Sequence, residues 1–282
     1  MQTVAPKQTL IFTDLDGTLL DHDNYSFAAA QPVLNKLAAH NIPVIPVTSK
    51  TKEEVLQLRE ALNLETPFVI ENGAGIYIPK HYFSYVDESL QDCGHYWCKQ
   101  FAPSRTFWCE QVNTLSVEFP DCFRSFSRMG TVGIAKATGL SDPEAALANI
   151  RDFSEPIHWL GTDREKERFI SRVEAMGFTV LQGGRFLHLT NGYDKGQALT
   201  WLKQQYSRQL GGYQPFAIAL GDSGNDIDML EACDQPILVR SKTNGAMTLT
   251  THVKEIRTRA LGPEGWAEAL CDYFNFSHET PK

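Results

Sequence analysis

The sequence predicts an α/β protein in which a parallel sheet carries helices on both faces and a smaller α/β unit is inserted between the two halves of that core. Three observations lead there. Short apolar runs alternate with stretches of helical period over residues 9–70, the alternation breaks up over 85–135, and it returns from Lys195 onward. A chain of 282 residues is long enough for both units. The expected partition is core over 1–84, insertion over 85–190, and core again over 191–282.

Residues 9–13 are an apolar run that stops at Asp14, where Gly17-Thr18 turns the chain; this reads as a buried strand with a loop at its carboxyl end. Phe27, Val33, Leu34 and Leu37 then recur at helical spacing, with Ser26 as cap and Asn41 as terminator, which predicts a helix over 27–40. Residues 42–47 form a second apolar run, weakened as a strand because each of its two prolines lacks a ladder donor. Thr51 and Glu54 make a capping box for a helix to about Leu62, and Pro67–Ile70 is expected as a third parallel strand.

The stretch 85–135 is rich in Cys, Trp, Phe and Ser and shows no clear period. After it, Ser141 and Glu144 box a helix expected to reach about Phe153, Arg164–Met176 is a helix closed by Gly177, and 179–190 is a hairpin about Gly183-Gly184. The insertion is therefore expected to hold antiparallel strands. Core features resume with a helix over Lys195–Leu210, an apolar strand over Phe216–Leu220, a helix over 227–233, a strand over 236–239 and a closing helix over Glu264–Phe274.

The bulk properties exclude several classes. A net charge of −8 argues against a general nucleic-acid binder, which needs a basic surface to displace counterions. No run approaches the roughly 20 apolar residues that span a bilayer, and the start lacks a charged segment followed by an apolar one. A cytoplasmic protein without membrane partners is expected. Cys93 and Cys98 flank His95, yet no second ligand pair follows at a finger-like distance, so all six cysteines are expected as free thiols.

Ligands of an open parallel sheet gather outside the carboxyl ends of its strands. Two acidic loops fall there, one with Asp14 and Asp16, the other running Gly221-Asp222-Ser223-Gly224-Asn225-Asp226. Four carboxylates in one crevice repel each other, so a hard cation with oxygen ligands is expected, and magnesium suits a site that also binds phosphate. Read singly, each Asp is as easily a turn or cap residue, and Lys195 a solvated helix start.

The ordered set changes that balance. Asp14-Leu15-Asp16-Gly17-Thr18, Thr48 after the second strand, Lys195 opening a helix and Gly221–Asp226 resemble the four motifs of the haloacid-dehalogenase superfamily, in its order. The resemblance implies a Rossmann-like core with an α/β cap and magnesium-dependent phosphatase activity. It implies Asp14 as the nucleophile that forms an aspartyl phosphate and Asp16 as acid, then base. The ion would be held by Asp14, Asp222 and the backbone carbonyl of Asp16. Thr48 would bond a phosphate oxygen, although the neighbouring Ser49 hydroxyl is equally placed to do so. Lys195 would neutralise another, with Asp226 orienting it and Asn225 supporting the metal shell.

Further stretches resemble the mannosyl-3-phosphoglycerate phosphatases and close relatives: Thr48–Thr51, Glu71–Gly75, Gln182–Phe186 and Gly262–Trp266. The substrate implied is a mannosyl- or glucosyl-3-phosphoglycerate, which carries a phosphate and a carboxylate. Arg185 suits a two-pronged carboxylate clamp, against a plain reading as a surface residue beside Gly-Gly, and Lys50 adds charge near the phosphate. His188, expected on the face of Arg185, is either a contact to sugar hydroxyls or a half-buried structural histidine. Glu71-Asn72-Gly73 reads as a hairpin turn without a catalytic role. Three rival functions remain: a sucrose-phosphate or general hexose-phosphate phosphatase, a phosphomutase, and a non-catalytic sensor of a phosphometabolite.

Overall fold

The structure is a computed structural model and describes residues 8–183, 186–242, 245, 247–251 and 254–276. Its first segment runs β1 (Thr9–Thr13), α1 (Gln31–Ala39), β2 (Val44–Pro46), α2 (Lys52–Ala61), β3 (Phe68–Ile70), β4 (Gly75–Pro79), β5 (Gln91–Cys93) and β6 (Tyr96–Gln100). The second comprises α3 (Arg105–Glu118), β7 (Phe123–Ser125), α4 (Phe126–Thr138), α5 (Asp142–Ala148), β8 (Ile157–Trp159), α6 (Asp163–Ala175), β9 (Thr179–Gly183) and β10 (Phe186–Thr190). The third returns with α7 (Lys195–Gln209), β11 (Phe216–Gly221), α8 (Ile227–Ala232), β12 (Gln235–Arg240), β13 (Ile256–Leu261) and α9 (Gly262–Phe274).

A five-stranded sheet in the order β13-β12-β11-β1-β2 forms the core, and its pairings are parallel. Every residue of β1 is buried, as expected of a parallel strand covered on both faces. Alternation sends Ile11 to one side, where α1 and α9 contribute Leu34, Leu37, Trp266 and Leu270. Leu10 and Phe12 go to the other, against Leu199 and Leu202 of α7 and Met229 and Leu230 of α8. Pro43 and Pro46 are compatible with β2 because it is short and supplies acceptors; the carbonyl of Pro43 accepts from Ile11 N–H.

Several expectations are corrected. Helix α1 starts at Gln31, because Phe27–Ala30 forms a turn and Pro32 sits in the first helical turn, where its missing N–H is harmless. The run at Phe68–Ile70 meets the core sheet through a parallel bridge, Val47 to Val69, but pairs along its length antiparallel with β4 in a sheet ordered β3-β4-β6-β5. Residues 91–100, expected inside the insertion, pair in that same sheet through β6 on β4. Helix α5 ends at Ala148, five residues before Phe153, which instead packs its ring against Gly75.

The inserted segment carries the antiparallel sheet β7-β8-β10-β9. Trp108 of α3 meets the ring of Phe178, and Phe169 of α6 meets those of Phe119 and Phe123. Helices α4 and α5 close a small core of their own from Phe126, Ile134, Ala145 and Ala148, with Phe186 against it. Strand period places His188 on the face of Phe186, two positions before it, while Arg185, whose face it was expected to share, lies outside the described residues. The cysteines are free thiols among the described residues, and there no helix is long and apolar enough to cross a membrane.

Candidate active site

The register of β1 on β11 pairs Thr13 with Leu220, so the loops that follow leave the sheet side by side. Asp14 is fixed by its N–H to the carbonyl of Leu220 at 2.9 Å, while the Thr13 hydroxyl donates to the Asp14 carbonyl at 2.7 Å. Trp266 of α9 donates its indole N–H to that same hydroxyl at 3.1 Å, which braces the strand end from below. Carboxylate oxygens of Asp14, Asp222 and Asp226 lie within 4.8 Å of one another, all three side chains being buried.

Lys195 enters this cluster from the first turn of α7, whose N-cap Asp194 accepts from Gln197 N–H. Its ammonium is fully buried, 2.7 Å from Asp14 Oδ1 and 2.6 Å from Asp226 Oδ1. The other oxygen of Asp226 accepts from the N–H groups of Asp222 and Ser223 at 3.1 and 3.0 Å. Asp226 is thereby committed as a bracket that aims Lys195 and shapes the loop. Burial pushes the Lys195 pKa down, but the two carboxylates outweigh it and the net shift is upward, so the group stays an ammonium. Burial, reinforced by Asp226 and Asp222 and opposed by Lys195, holds the Asp14 carboxyl well above the usual carboxylate range.

Three carboxylates face one ammonium, which leaves negative charge uncompensated in a buried place. An all-oxygen donor set of this sign fits a hard divalent cation. Asp222 is pre-set for such a role: Ser241 Oγ donates to Oδ2 at 2.8 Å, and Thr18 Oγ1 reaches Oδ1 at 3.5 Å. Gly17, at φ +80°, is the reason the first loop can approach, since a Cβ there would stand 2.7 Å from Asp222 Oδ2.

Asp16 and Lys50 form the second half of the site. Their side chains pair at 2.9 Å, with Glu54 3.8 Å from the same ammonium and the ring of Tyr25 4.7 Å below it. Burial opposes the charge of Lys50, yet Asp16 and Glu54 prevail and raise its pKa. Asp16 keeps 35% of its side chain exposed, enough to meet a ligand. Ser49 lines the cavity, while Thr48 is fully buried behind it and accepts from Lys50 N–H at 3.2 Å.

These residues floor a cavity of about 240 Å³ whose opposite wall comes from the inserted segment, with Phe126, Leu140, Arg151, Phe186 and His188. His188 is buried and its Nδ1 has no partner among the described residues; burial, aided by nearby Arg151, lowers its pKa to about 3, so the ring is neutral. Asn225, expected to support the metal shell, lines the cavity; its Nδ2 donates to Asn72 Oδ1 at 2.9 Å and its Oδ1 accepts from Ser223 Oγ at 2.5 Å. Arg185 lies outside the described residues. Sequence reasoning missed Arg151, which it placed inside a helix, and the carboxylate of Glu71, which it treated as part of a turn. Trp266 stood in a stretch marked by its likeness to a family, but nothing local pointed to Thr13.

Comparison with known proteins gives the following. The profile of the haloacid dehalogenase-like hydrolases matches residues 11–117. Over 264 residues the chain is 36% identical to a glucosyl-3-phosphoglycerate/mannosyl-3-phosphoglycerate phosphatase of Methanococcoides burtonii, covering 93% of this chain and 96% of that one. It is 35% identical over 272 residues to the protein of that description from Persephonella marina, covering 94% and 97%. Among solved structures it resembles one from Thermoplasma acidophilum (TM-score 0.66, 18% identity, 96% of this chain and 99% of that one). It also resembles the sucrose-phosphatase of Synechocystis, solved with sucrose and phosphate (TM-score 0.61, 16% identity, 96% and 100%). At these identities the solved structures speak to the fold.

Proposed function

The chain belongs to the haloacid dehalogenase-like hydrolases, among the glucosyl-3-phosphoglycerate/mannosyl-3-phosphoglycerate phosphatases, and from this premise we propose that it hydrolyses a hexosyl-3-phosphoglycerate to the hexosylglycerate and phosphate. The observation that carries the chemistry is the convergence of Asp14 and Asp222 on the floor of a cavity that the inserted segment roofs, with the buried ammonium of Lys195 2.7 Å from Asp14.

In this reading a carboxylate oxygen of Asp14 attacks phosphorus, and the bond from phosphorus to the glyceryl oxygen breaks, leaving an aspartyl phosphate. Asp16, exposed to the cavity, protonates the departing oxygen and then takes a proton from the water that cleaves the acyl phosphate. Lys195 faces the transferring group with an ammonium that its two carboxylate partners keep charged. Ser49 on the wall, or Thr48 behind it, donates to a phosphate oxygen, and Lys50 supplies charge beside Asp16. Asp14, Asp222 and the backbone carbonyl of Asp16 would hold magnesium, whose bound charge offsets the repulsion between Asp14 and an anionic phosphate. Phe126, Phe186 and Leu140 exclude water, and neutral His188 supplies a polar contact for the organic part.

The test is phosphate release from synthetic mannosyl- and glucosyl-3-phosphoglycerate, with magnesium and then with chelator, alongside a panel of hexose phosphates. Release from the glycerates that chelator abolishes supports the reading. Equal rates across the panel would remove the glycosylglycerate assignment, and Asp14→Asn retaining turnover would remove the mechanism.

A further inference from the structure

Three successive carbonyls of the loop that follows β2 are each held by a different donor. The Thr48 carbonyl accepts from Asn72 N–H at 2.9 Å and the Lys50 carbonyl from Glu71 N–H at 3.0 Å, both donors lying in the turn between β3 and β4. The Ser49 carbonyl between them accepts from Arg151 Nη2 at 2.7 Å, and Arg151 belongs to the inserted segment. The loop that carries Ser49 and Lys50 is therefore set jointly by the core and by the unit that roofs it.

Arg151 is itself locked. Its Nε donates to Ser154 Oγ at 2.7 Å and lies 3.3 Å from Glu71 Oε2. The Glu71 carboxylate also accepts from Asp152 N–H at 2.8 Å, Phe153 N–H at 3.2 Å and Ser154 Oγ at 2.5 Å. Exposure of the two side chains is 4% and 0%. A buried ion pair of this kind is no efficient way to gain stability, since an apolar pair of the same volume does as well. What it provides is geometry: it fixes segment 151–154 on the turn and presents one guanidinium nitrogen to the Ser49 carbonyl. Any movement that lifts the inserted segment withdraws that donor.

The loop so held reaches the chemistry in two places. Ser49 lines the cavity, and Lys50 pairs with Asp16 at 2.9 Å. We propose that Arg151, fixed by Glu71, is a positioning residue that couples docking of the inserted segment to the setting of Ser49 and Lys50, so that Asp16 is held in place only when the cavity is roofed. The inference rests on the phosphatase reading above. It gives the roof a role besides shape, because an open site loses the geometry that turns over substrate and admits water without reacting.

The test compares Arg151→Met, Glu71→Gln and the double variant. Arg151→Met leaves a buried carboxylate without its cation, so it is expected to lose both thermal stability and turnover. Glu71→Gln in the same chain removes the unpaired charge, so the double variant is expected to recover thermal stability over Arg151→Met while kcat stays at least tenfold below wild type. KM for mannosyl-3-phosphoglycerate should change less than threefold. A second readout needs no turnover: the Lys50 amide, which donates to Thr48 Oγ1, should exchange its hydrogen at least tenfold faster in the double variant than in the wild type. Recovery of kcat together with stability, or unchanged exchange at Lys50, would overturn the proposal. Should the wild-type protein release no phosphate from any substrate, the functional reading falls and the exchange comparison still decides this one.

Discussion

Replacing Gly17 by Ala isolates the approach of the two acidic loops. At φ +80° an alanine carries left-handed strain of about 1–2 kcal/mol. The added Cβ would also stand 2.7 Å from Asp222 Oδ2 and 3.1 Å from its Cγ, about 0.7 Å short of ordinary contact. Asp222 has little room to retreat, being held by Ser241 and Thr18. Magnesium needs its oxygens at about 2.0–2.1 Å, so a carboxylate displaced by a third of that distance loses most of its bond. The expected result is a magnesium affinity at least tenfold weaker, about 1.4 kcal/mol, read by calorimetric titration and by the metal dependence of phosphate release. Gly139→Ala is the control, since Gly139 has φ +84° with nothing near its missing Cβ. It should show the same strain in a thermal scan and a wild-type metal titration. Equal metal affinity in Gly17→Ala and wild type would refute the argument that this glycine sets the distance between the loops.

Two further predictions concern buried charge. Lys195→Met leaves Asp14 and Asp226 without their shared ammonium, which should destabilise the metal-free protein by about 3–5 kcal/mol. At roughly 2–3 °C per kcal/mol, the apparent Tm in chelator should fall by about 6–15 °C, and a fall below 1 °C would contradict the charge balance drawn here. His188 is neutral in the fold with a pKa of about 3, below the ordinary 6.5, so the unfolded chain binds its proton first as pH drops. The stability it permits is complete above about pH 6.5 and is lost progressively toward pH 3. Between pH 7 and 5 that amounts to about 2 kcal/mol, and His188→Leu should flatten the pH dependence of denaturant midpoints by this amount. An identical acid limb in the variant would show that the ring is charged or solvated in the fold.

What could be read from the sequence is what local physics decides. The strand before Asp14 and the capping box at Thr51 and Glu54 need only a few neighbouring residues, and both are present as read. Errors arose where an apolar residue served something distant. Phe27 packs from a turn and Phe153 from a linker, so helical period overran both ends. Residues 91–100 are partly exposed and their pairing with β4 is fixed only by the fold, so composition alone did not show it. The candidate site followed the same rule. Its acidic loops announce themselves at strand ends, whereas the pairing of Glu71 with Arg151 joins positions about 80 residues apart and leaves no local trace.

The place of β1 between β2 and β11 in the core sheet has a consequence for synthesis. Its two neighbours are β2, made soon after it, and β11, which leaves the ribosome some 200 residues later, about 10–40 s at ordinary elongation rates. During that interval the edge of β1 that β11 will cover is an open template for other strands. The nascent chain likewise holds Asp14 with neither Lys195 nor Asp222 beside it, so a prematurely released fragment is chemically inert and prone to aggregate.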